Sequence, residues 1–394
     1  MYSRRTVHAA SPGAAKTAEL LRLLAGSTSG CGPRRADKPL VLYGAGNLGR
    51  LAKTYLDRIG VGVVAVVDQK PEACGDDPFW SGTKLLHPEE VDRALMDASL
   101  LAVSVCNVPF APLEEALARQ GWRDVVPFYD LAEAYRDRHP LSNGWFSGEL
   151  SAPELGAVAK VLGRWADDRS RAHHLQFLAW RNRREEWVFE DAPVTIDDRY
   201  FIPEVTEALR DDERFLDLGA HHGEVALSFL ERVEMNIAKL WLFEPDRENL
   251  VRLRARLGDM LSPELLEGVE VRSQAIGEST GRRPFFGGID YASQFSPFGS
   301  ETVEVQTLDR LGLQPTFVKL HLEGWELDAL KGGRATLAAA RPILAVTAYH
   351  NRLGMCELPG WLMNELPRYR FYFRLHSWCG TGAVIYGIPA ERCR

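Results

Sequence analysis

The sequence lacks the patterns that identify a disulfide-rich, zinc-binding, secreted or membrane-spanning protein. Its six cysteines form no C-x-x-C pair and no Cys/His spacing of a zinc site, and a chain of 394 residues has no need of disulfide bridges for its core. It also has no apolar signal segment and no apolar run long enough to cross a bilayer. We therefore expect reduced thiols, no metal, no membrane contact and a cytoplasmic location.

The chain also has no excess of positive charge. Its formal net charge is −7 at pH 7. Proteins that coat nucleic acid or an anionic membrane need a basic face, which this composition does not favour. A small molecule is the expected partner, nucleic acid is not, and a homo-oligomer remains open.

A chain of this length usually forms two compact domains. Short apolar runs of strand type alternate with segments of helical spacing in two parts of the chain, a pattern typical of α/β folds with parallel sheets. We predict two doubly wound Rossmann-like domains joined by a helical connector. The expected division is a flexible leader over 1–37, a nucleotide-binding domain over 38–140, a helical connector over 141–198 and a second α/β domain over 199–394. The leader is rich in Ser, Gly, Ala and basic residues, with one helix-like stretch over 15–24.

A glycine-rich turn follows the first predicted strand of the front domain. Gly44, Gly46 and Gly49 have the G-x-G-x-x-G spacing, and Asp68 ends the next predicted strand. Such glycines let the backbone approach a pyrophosphate, and the aspartate can accept hydrogen bonds from the ribose hydroxyls. The loop therefore indicates a second nucleotide site. The alternative is a nucleotide fold kept for docking or dimerisation, because nothing nearby resembles a hydride-transfer apparatus.

A second glycine-rich turn lies in the rear domain and has a different chemistry. Asp217, Gly219 and Gly223 follow a predicted strand as D-x-G-x-x-x-G, and Glu244 ends the next strand. Glu244 is placed to bind two ribose hydroxyls, whereas an acidic residue at position 217 would repel a pyrophosphate and attract an ammonium group. The pair favours a nucleoside ligand without phosphates. A nucleotide fold with a generic acidic strand end is the alternative.

Beyond these loops, the chain from about residue 165 onward resembles the FkbM family of S-adenosylmethionine-dependent methyltransferases. The matching stretches are 166–171, 199–201, 215–223, 243–246, 307–309, 318–333, 341–342, 349–350 and 369–386. The front domain resembles the nucleotide-fold domain often fused ahead of that family. The resemblance implies a class I methyltransferase sheet over 199–394, closed by an antiparallel hairpin of residues 371–375 and 383–386. It also implies S-adenosylmethionine contacts at Asp217, Gly219, Ala220, Gly223, Glu244, Pro245, Gln274 and Ala275.

One position departs from the family pattern. Where the family usually has aspartate in its fourth-strand motif, this chain has His321 in the sequence KLHLEG. His321 could be a replacement base, a residue suited to another methyl acceptor, or a sign that activity has been lost. Histidine can serve as a base near neutral pH.

Other candidate catalytic groups lie close to this position in the sequence or at later strand ends. Glu323 could orient substrate or bond His321, or it could accept backbone N–H groups in the turn. His350 follows a later predicted strand and is a third candidate. The adjacent pairs His221–His222 and His173–His174 do not indicate a metal, because neighbouring side chains on one element are expected to diverge.

The sequence thus favours a methyltransferase that uses S-adenosylmethionine, with O-methylation of a sugar, glycan or secondary-metabolite hydroxyl as the expected reaction. Two alternatives remain. One is an NAD-dependent nucleotide-sugar oxidoreductase that uses the front loop, and the other is an inactive ligand-binding scaffold.

Overall fold

The computed structural model describes residues 2–26, 31–139 and 141–393. The predicted leader therefore lies partly outside the described residues, at positions 1 and 27–30. The rest of it does not behave as a loose leader, and this prediction was wrong. Strand β1 (Arg4–His8) pairs in parallel with Glu185–Phe189, and helix α1 (Ala14–Ala25) buries Leu20, Leu21 and Leu24 in the largest apolar cluster of the molecule. The free energy gained by burying three leucine side chains exceeds the cost of ordering the small, flexible residues around them.

The front sheet has five parallel strands in the order β4-β3-β2-β5-β6, numbered along the chain. Its elements are β2 (Leu40–Tyr43), α2 (Asn47–Arg58), β3 (Val63–Val67), β4 (Leu85–Leu86), α3 (Arg93–Ala98), β5 (Leu100–Val103), α4 (Phe110–Gln120), β6 (Val125–Pro127) and α5 (Phe128–Glu133). Strands β2 and β5 are buried along their whole length, which explains their continuously apolar sequences.

The segment that follows is mainly helical, as expected, but it also contains a strand. Its elements are α6 (Ala152–Leu162), α7 (Asp168–Arg183) and β7 (Glu185–Phe189). Asp167 caps α7 by accepting the N–H of Ser170 at 2.7 Å. The strand β7, the partner of β1, was not predicted.

The rear sheet has seven strands in the order β10-β9-β8-β15-β16-β18-β17. The elements of this part are α8 (Pro203–Thr206), β8 (Arg214–Leu218), α9 (Glu224–Arg232), β9 (Lys239–Phe243), α10 (Arg247–Met260), α11 (Pro263–Glu267), β10 (Val269–Arg272), β11 (Ala275–Ile276), β12 (Gly281–Phe286), β13 (Gln294–Phe295), β14 (Glu301–Gln306), α12 (Leu308–Leu311), β15 (Phe317–Leu320), α13 (Glu326–Lys331), α14 (Arg334–Ala340), β16 (Ile343–Thr347), α15 (Glu357–Glu365), β17 (Tyr369–Leu375) and β18 (Ala383–Pro389). Short 3-10 turns are Pro71–Cys74, Pro78–Trp80, Pro88–Glu90, Asp290–Ala292, Arg352–Met355 and Ala390–Arg392.

Five strands of the rear sheet are parallel, and β18 and β17 close it as an antiparallel hairpin, as the family resemblance implied. Successive side chains of β8 point to opposite faces. Leu216 and Leu218 therefore pack toward α6 and α7, whereas Phe215 packs toward α9 and α10. The predicted α/β class with parallel sheets is confirmed. Among the described residues, each helix is too short or too polar to traverse a lipid bilayer.

Candidate cofactor pocket and the histidine cluster beside it

A cavity of about 990 Å³ opens at the carboxyl ends of β8, β9 and β15. Ligands of open α/β sheets bind at this edge, where the strand order reverses. Six of the eight predicted cofactor residues line it, namely Gly219, Ala220, Glu244, Pro245, Gln274 and Ala275. His321 and Glu323 line the same cavity.

Two glycines shape the turn between β8 and α9, but only Gly219 lines the cavity. A Cβ atom on Gly219 would lie 2.1 Å from the carbonyl oxygen of His321, so only glycine fits between β8 and β15. Gly223 caps α9 with φ 87°, and a Cβ there would meet Leu253. Gly223 does not line the cavity; its place is in the turn that shapes it.

Glu244 lies at the tip of β9 with its carboxylate turned to the cavity. Its oxygens accept the backbone N–H groups of His221 at 2.8 Å and Asp246 at 2.9 Å. Burial raises the pKa of Glu244 to about 7. The carboxylate is therefore held rigidly, with unused lone pairs available to hydroxyl donors.

Asp217 does not line the cavity, contrary to its predicted contact with an ammonium group. The side chain is fully buried, and Oδ1 accepts a hydrogen bond from Nζ of Lys319 at 2.8 Å. Lys319 also donates to the carbonyl of Gly219 at 2.6 Å. Burial raises the pKa of Asp217, while Lys319 lowers it. The ammonium partner of Asp217 in the structure is thus a lysine from β15 that also holds the glycine loop.

A loop over 287–294 lines one side of the cavity and was not predicted from the sequence. Asp246 holds it, because Oδ2 accepts the N–H of Gly288 at 2.7 Å and the hydroxyl of Ser293 at 2.6 Å. Asn249 adds a bond to the carbonyl of Asp290 at 3.1 Å. The sequence signal was Asp246 itself, two residues after the strand-end Glu244.

The other end of the cavity is lined by His321 and two tyrosines. The imidazole Nδ1 lies 2.9 Å from the Tyr200 hydroxyl, and Nε2 lies 3.2 Å from the Tyr349 hydroxyl and 3.1 Å from Oε1 of Glu323. Burial lowers the pKa of His321 to about 3. The ring is therefore neutral at neutral pH.

Glu323, His350 and Glu326 form a buried charged chain behind His321. Nε2 of His350 lies 3.2 Å from Oε1 of Glu323, and Nδ1 lies 2.7 Å from Oε1 of Glu326. Burial opposes charge on His350, but the two carboxylates raise its pKa well above the usual value. Although burial acts in the opposite direction, His350 and His321 hold the pKa of Glu323 below its usual range.

Glu323 takes one of its two expected roles. It contacts His321 and His350, and its second oxygen accepts a hydrogen bond from Ser142. The backbone N–H groups of the turn, those of Leu322 and Gly324, instead bond to Glu326. His350 does not line the cofactor cavity; it faces a neighbouring cavity that Glu323 also lines.

Three further side chains of this region were not predicted as site residues. Arg199 donates to the Tyr349 hydroxyl at 2.9 Å, and Arg199 and Tyr200 both line the cavity. Tyr200 has a φ of 72° in an irregular segment, which is uncommon for a tyrosine. Residues 199–200 and 349–350 were noted in the family resemblance, but their convergence on His321 depends on tertiary packing.

The expectation that His221 and His222 diverge was wrong. Their rings stack at 3.6 Å, and both approach Oδ1 of Asp290, at 2.6 Å for His221 and 3.6 Å for His222. Burial acts against charge on His221, but Asp290 and Glu224 raise its pKa to about 9. His221 has a φ of 51°, which lets two neighbouring rings face one way. His173 and His174 bond to the carbonyls of Ala192 and Met355 in the core.

The front glycine loop has the predicted shape. Gly44 has a φ of 106°, Gly46 caps α2, and a Cβ on Gly49 would lie 2.1 Å from the carbonyl oxygen of Gly44. The Asp68 carboxylate, however, already accepts the backbone N–H groups of Ala45 at 2.7 Å and Lys70 at 2.8 Å. In this structure Asp68 holds the loop itself.

Comparison with known proteins identifies the rear part of the chain. Residues 217–373 match the model of the methyltransferase FkbM domain. The crystal structure of methyltransferase FkbM from Methylobacillus flagellatus KT is similar, with a TM-score of 0.62, 20% identity, and coverage of 95% of this chain and 98% of that one. Curated proteins give no match. The matched segment contains β9, β15, β16 and most of the residues that line the pocket, and it is similar to the methyltransferase FkbM domain.

Proposed function

We propose that this protein is an S-adenosylmethionine-dependent methyltransferase that methylates a hydroxyl of a small molecule such as a sugar, glycan or secondary metabolite. The observation that carries the proposal is one cavity that unites the Gly219 turn, the Glu244 carboxylate and the Gln274–Ala275 segment. The similarity of residues 217–373 to the methyltransferase FkbM domain supports the methyltransferase class.

The pocket residues fit a nucleoside better than a dinucleotide. Glu244 can accept hydrogen bonds from two ribose hydroxyls, and its carboxylate would repel a pyrophosphate placed at the same strand tip. Gly219 leaves room for a ligand to cross the end of β8. Apolar atoms of Pro245, Ala275 and Ile276 line the same side and suit a flat adenine ring.

The acceptor is proposed to lie at the His321 end of the cavity. When bound, S-adenosylmethionine supplies a methyl group on a sulfonium, which is transferred by direct displacement. The chain's own task is to align the acceptor oxygen and to receive its proton. Neutral His321 can accept the proton, and the Glu323 oxygen 3.1 Å away would stabilise the resulting imidazolium. Arg199, Tyr200 and Tyr349 orient the ring.

Calorimetry of the full chain tests the cofactor. S-adenosylhomocysteine should bind to the wild type, and Glu244→Ala should weaken binding at least about tenfold, since a hydrogen bond to a charged group is worth about 1.5–3 kcal/mol. Glu248→Ala is the matched control, because Glu248 is exposed one turn away and does not line the cavity. Binding of NAD(H) without S-adenosylhomocysteine would contradict the proposal.

A second measurement addresses the His321 end. With a labelled methyl donor and a panel of hydroxyl acceptors, His321→Ala should keep S-adenosylhomocysteine affinity and lose about 10²–10⁴-fold in turnover, the usual contribution of a positioned base. Unchanged turnover would remove His321 from the reaction. Binding without turnover on any acceptor would favour the inactive scaffold.

We further propose that residues 38–140 form a nucleotide-fold domain, which the five-stranded parallel order of the front sheet supports. The Asp68 carboxylate is engaged by the backbone of its own loop, which does not favour NAD chemistry there. Gly44→Asp should therefore lower stability and leave S-adenosylhomocysteine binding intact.

A further inference from the structure

His321, Glu323 and His350 have the arrangement of three ligands around one metal ion. The strands β15 and β16 are neighbours in the sheet, and their carboxyl ends carry these residues to one point. One ligand atom from each side chain lies within 4.8 Å of the other two. Oε1 of Glu323 is the central atom, 3.1 Å from Nε2 of His321 and 3.2 Å from Nε2 of His350.

These spacings are those of a first coordination shell. Nitrogen and oxygen ligands lie about 2.0–2.1 Å from Zn²⁺ in a tetrahedral site, so two such ligands are about 3.3 Å apart. Both contacts of Glu323 are within 0.2 Å of that value. The two imidazole nitrogens are at most 4.8 Å apart, and small side-chain rotations bring both to one ion.

The Nδ1 atom of each imidazole ring already has a hydrogen-bond partner, as is usual for metal-binding histidines. Nδ1 of His350 bonds to Glu326 at 2.7 Å, and Nδ1 of His321 bonds to the Tyr200 hydroxyl at 2.9 Å. A carboxylate or hydroxyl on Nδ1 fixes the tautomer and turns Nε2 toward the metal. The second oxygen of Glu323 is fixed by Ser142.

Nε2 of His350 is the observation that separates this cluster from an ordinary hydrogen-bond network. His350 is 3% exposed, and its Nε2 has no hydrogen-bond partner of acceptable geometry, although Oε1 of Glu323 is 3.2 Å away. A buried polar atom without a well-formed hydrogen bond is costly, and a ligand bound at this nitrogen would satisfy it. This atom faces the other two candidate ligands.

We propose that His321, Glu323 and His350 bind a divalent first-row metal ion of the zinc type. Two imidazoles and one carboxylate suit Zn²⁺, Co²⁺, Mn²⁺ or Fe²⁺, whereas Mg²⁺ and Ca²⁺ prefer oxygen ligands. Such a site leaves a coordination position open, and His321 and Glu323 line the cofactor cavity.

The role of the ion in catalysis rests on the proposed function, but its binding does not. The open position would take the acceptor oxygen and favour its deprotonated form, because a bound cation stabilises the negative charge. His321 would then act as a ligand, and the acceptor proton would pass to solvent. In the metal-bound chain the ion, and not His321, would therefore promote loss of the acceptor proton, and His321 would act as the base only in the metal-free chain.

The second histidine cluster offers a matched control. His221, His222 and Asp290 are also close enough to share an ion, but Asp290 is 47% exposed in its side chain. Nε2 of His221 bonds to Asp290 and Nε2 of His222 bonds to Asn249, so neither of these nitrogens is left without a partner. A metal bound there would be lost from a His222→Gln variant.

The test is a Co²⁺ titration of the full, chelator-treated chain without any cofactor, followed by visible d–d absorption and by competition with Zn²⁺. We expect one Co²⁺ per chain and its displacement by Zn²⁺. His321→Gln and His350→Gln should abolish the signal, and His222→Gln should keep it. Glu326→Gln should weaken binding about 10–100-fold, the usual effect of losing an outer partner of a ligand histidine.

No Co²⁺ binding to the unmodified chain would overturn the proposal, as would a signal kept by folded His321→Gln or lost from His222→Gln. His321→Gln is the more conservative of the two histidine substitutions, because 19% of the His321 side chain is exposed, whereas that of His350 is 1% exposed. Calorimetry of S-adenosylhomocysteine on the same samples separates the two proposals. If the chain binds metal but not S-adenosylhomocysteine, the proposed function is rejected and the metal site stands. If it binds S-adenosylhomocysteine but not metal, the metal site is rejected and the proposed function stands.

Discussion

At the scale of single residues, a buried ion pair between two charged side chains supports the pocket. Lys319 is 2% exposed and Asp217 is fully buried, and their contact joins β15 to the end of β8. A sequence pattern could locate Asp217 beside the glycine turn. It could not show the partner, because Lys319 is 102 positions away and meets Asp217 only through strand register.

Removing Lys319 should destabilise the chain strongly. Lys319→Met leaves the Asp217 carboxylate buried without its cation, and breaking a buried pair in this way costs about 3–5 kcal/mol. Urea unfolding measures the loss. Lys160→Met, on an exposed position of α6, should change the free energy of unfolding by less than about 0.5 kcal/mol. The double variant Asp217→Asn/Lys319→Met should recover part of the stability; no recovery would contradict the pairing.

Glu244 should make stability depend on pH. Burial raises its pKa from 4.5 to about 7, so between these values the folded chain holds a proton that the unfolded chain has released. The free energy of unfolding attributable to this group therefore falls as pH rises from about 4.5 to 7. Melting temperatures of Glu244→Gln should fall less over that window than those of the wild type and of the exposed control Glu248→Gln. Parallel curves for all three would show that Glu244 titrates normally.

At the scale of elements, the strands and helices with strong periodicity were predicted well. Strand-type and helical segments alternate as expected, and the terminal hairpin pairs as expected. The pair β1 and β7 was missed. The sequence of β1, RRTVH, is exposed over four of its five residues and carries no apolar run. Its strand character comes from its partner, not from its own composition.

Helix α1 should contribute to stability through one face only. Leu24 is 1% exposed within the cluster formed with α7, so Leu24→Ala should cost about 2–5 kcal/mol. Leu23, on the opposite face, is 56% exposed, and Leu23→Ala should have an effect below about 0.5 kcal/mol. Chemical denaturation of the two variants makes the comparison. Equal effects would indicate that α1 is not docked.

At the scale of the whole molecule, the front sheet supports the pocket of the rear sheet. Tyr55 and Tyr129 share an apolar cluster with Ile289 and Ala292 of the loop that lines one side of the cavity. His139 stacks on Phe286 with a centroid distance of 3.8 Å. The sequence could not show that the front sheet packs on the loop over 287–294, because loops carry no periodic signal.

The contact between His139 and Phe286 should weaken in acid. Burial lowers the pKa of His139 from 6.5 to about 4, so between these values the unfolded or opened form binds a proton that the packed form excludes. Stability from this group is therefore present above about pH 6.5 and is lost as pH falls toward 4. Protection factors for amide hydrogen exchange, which correct for the pH dependence of intrinsic exchange, should decrease for residues 286–293 over this range.

The variant His139→Phe is the control for this effect. It keeps the stacked ring and removes the titrating group, so exchange in the same loop should no longer respond to acid over that range. An equal response in both proteins would assign the effect to another group. His87→Phe, at a partly exposed position in the front part of the chain, should leave the wild-type response unchanged.

The parallel pairing of β1 with β7 also sets an order of events during synthesis. Arg4 aligns with Glu185, so the first strand has no partner until 181 more residues have been made. At about 5–20 residues per second, the interval is roughly 10–40 s. During that time Leu20, Leu21 and Leu24 of α1 lack α7 as well. The front sheet can form meanwhile, so β1 and α1 are synthesised well before the strand and helix that they pack against, and their buried leucines stay exposed to solvent during that interval.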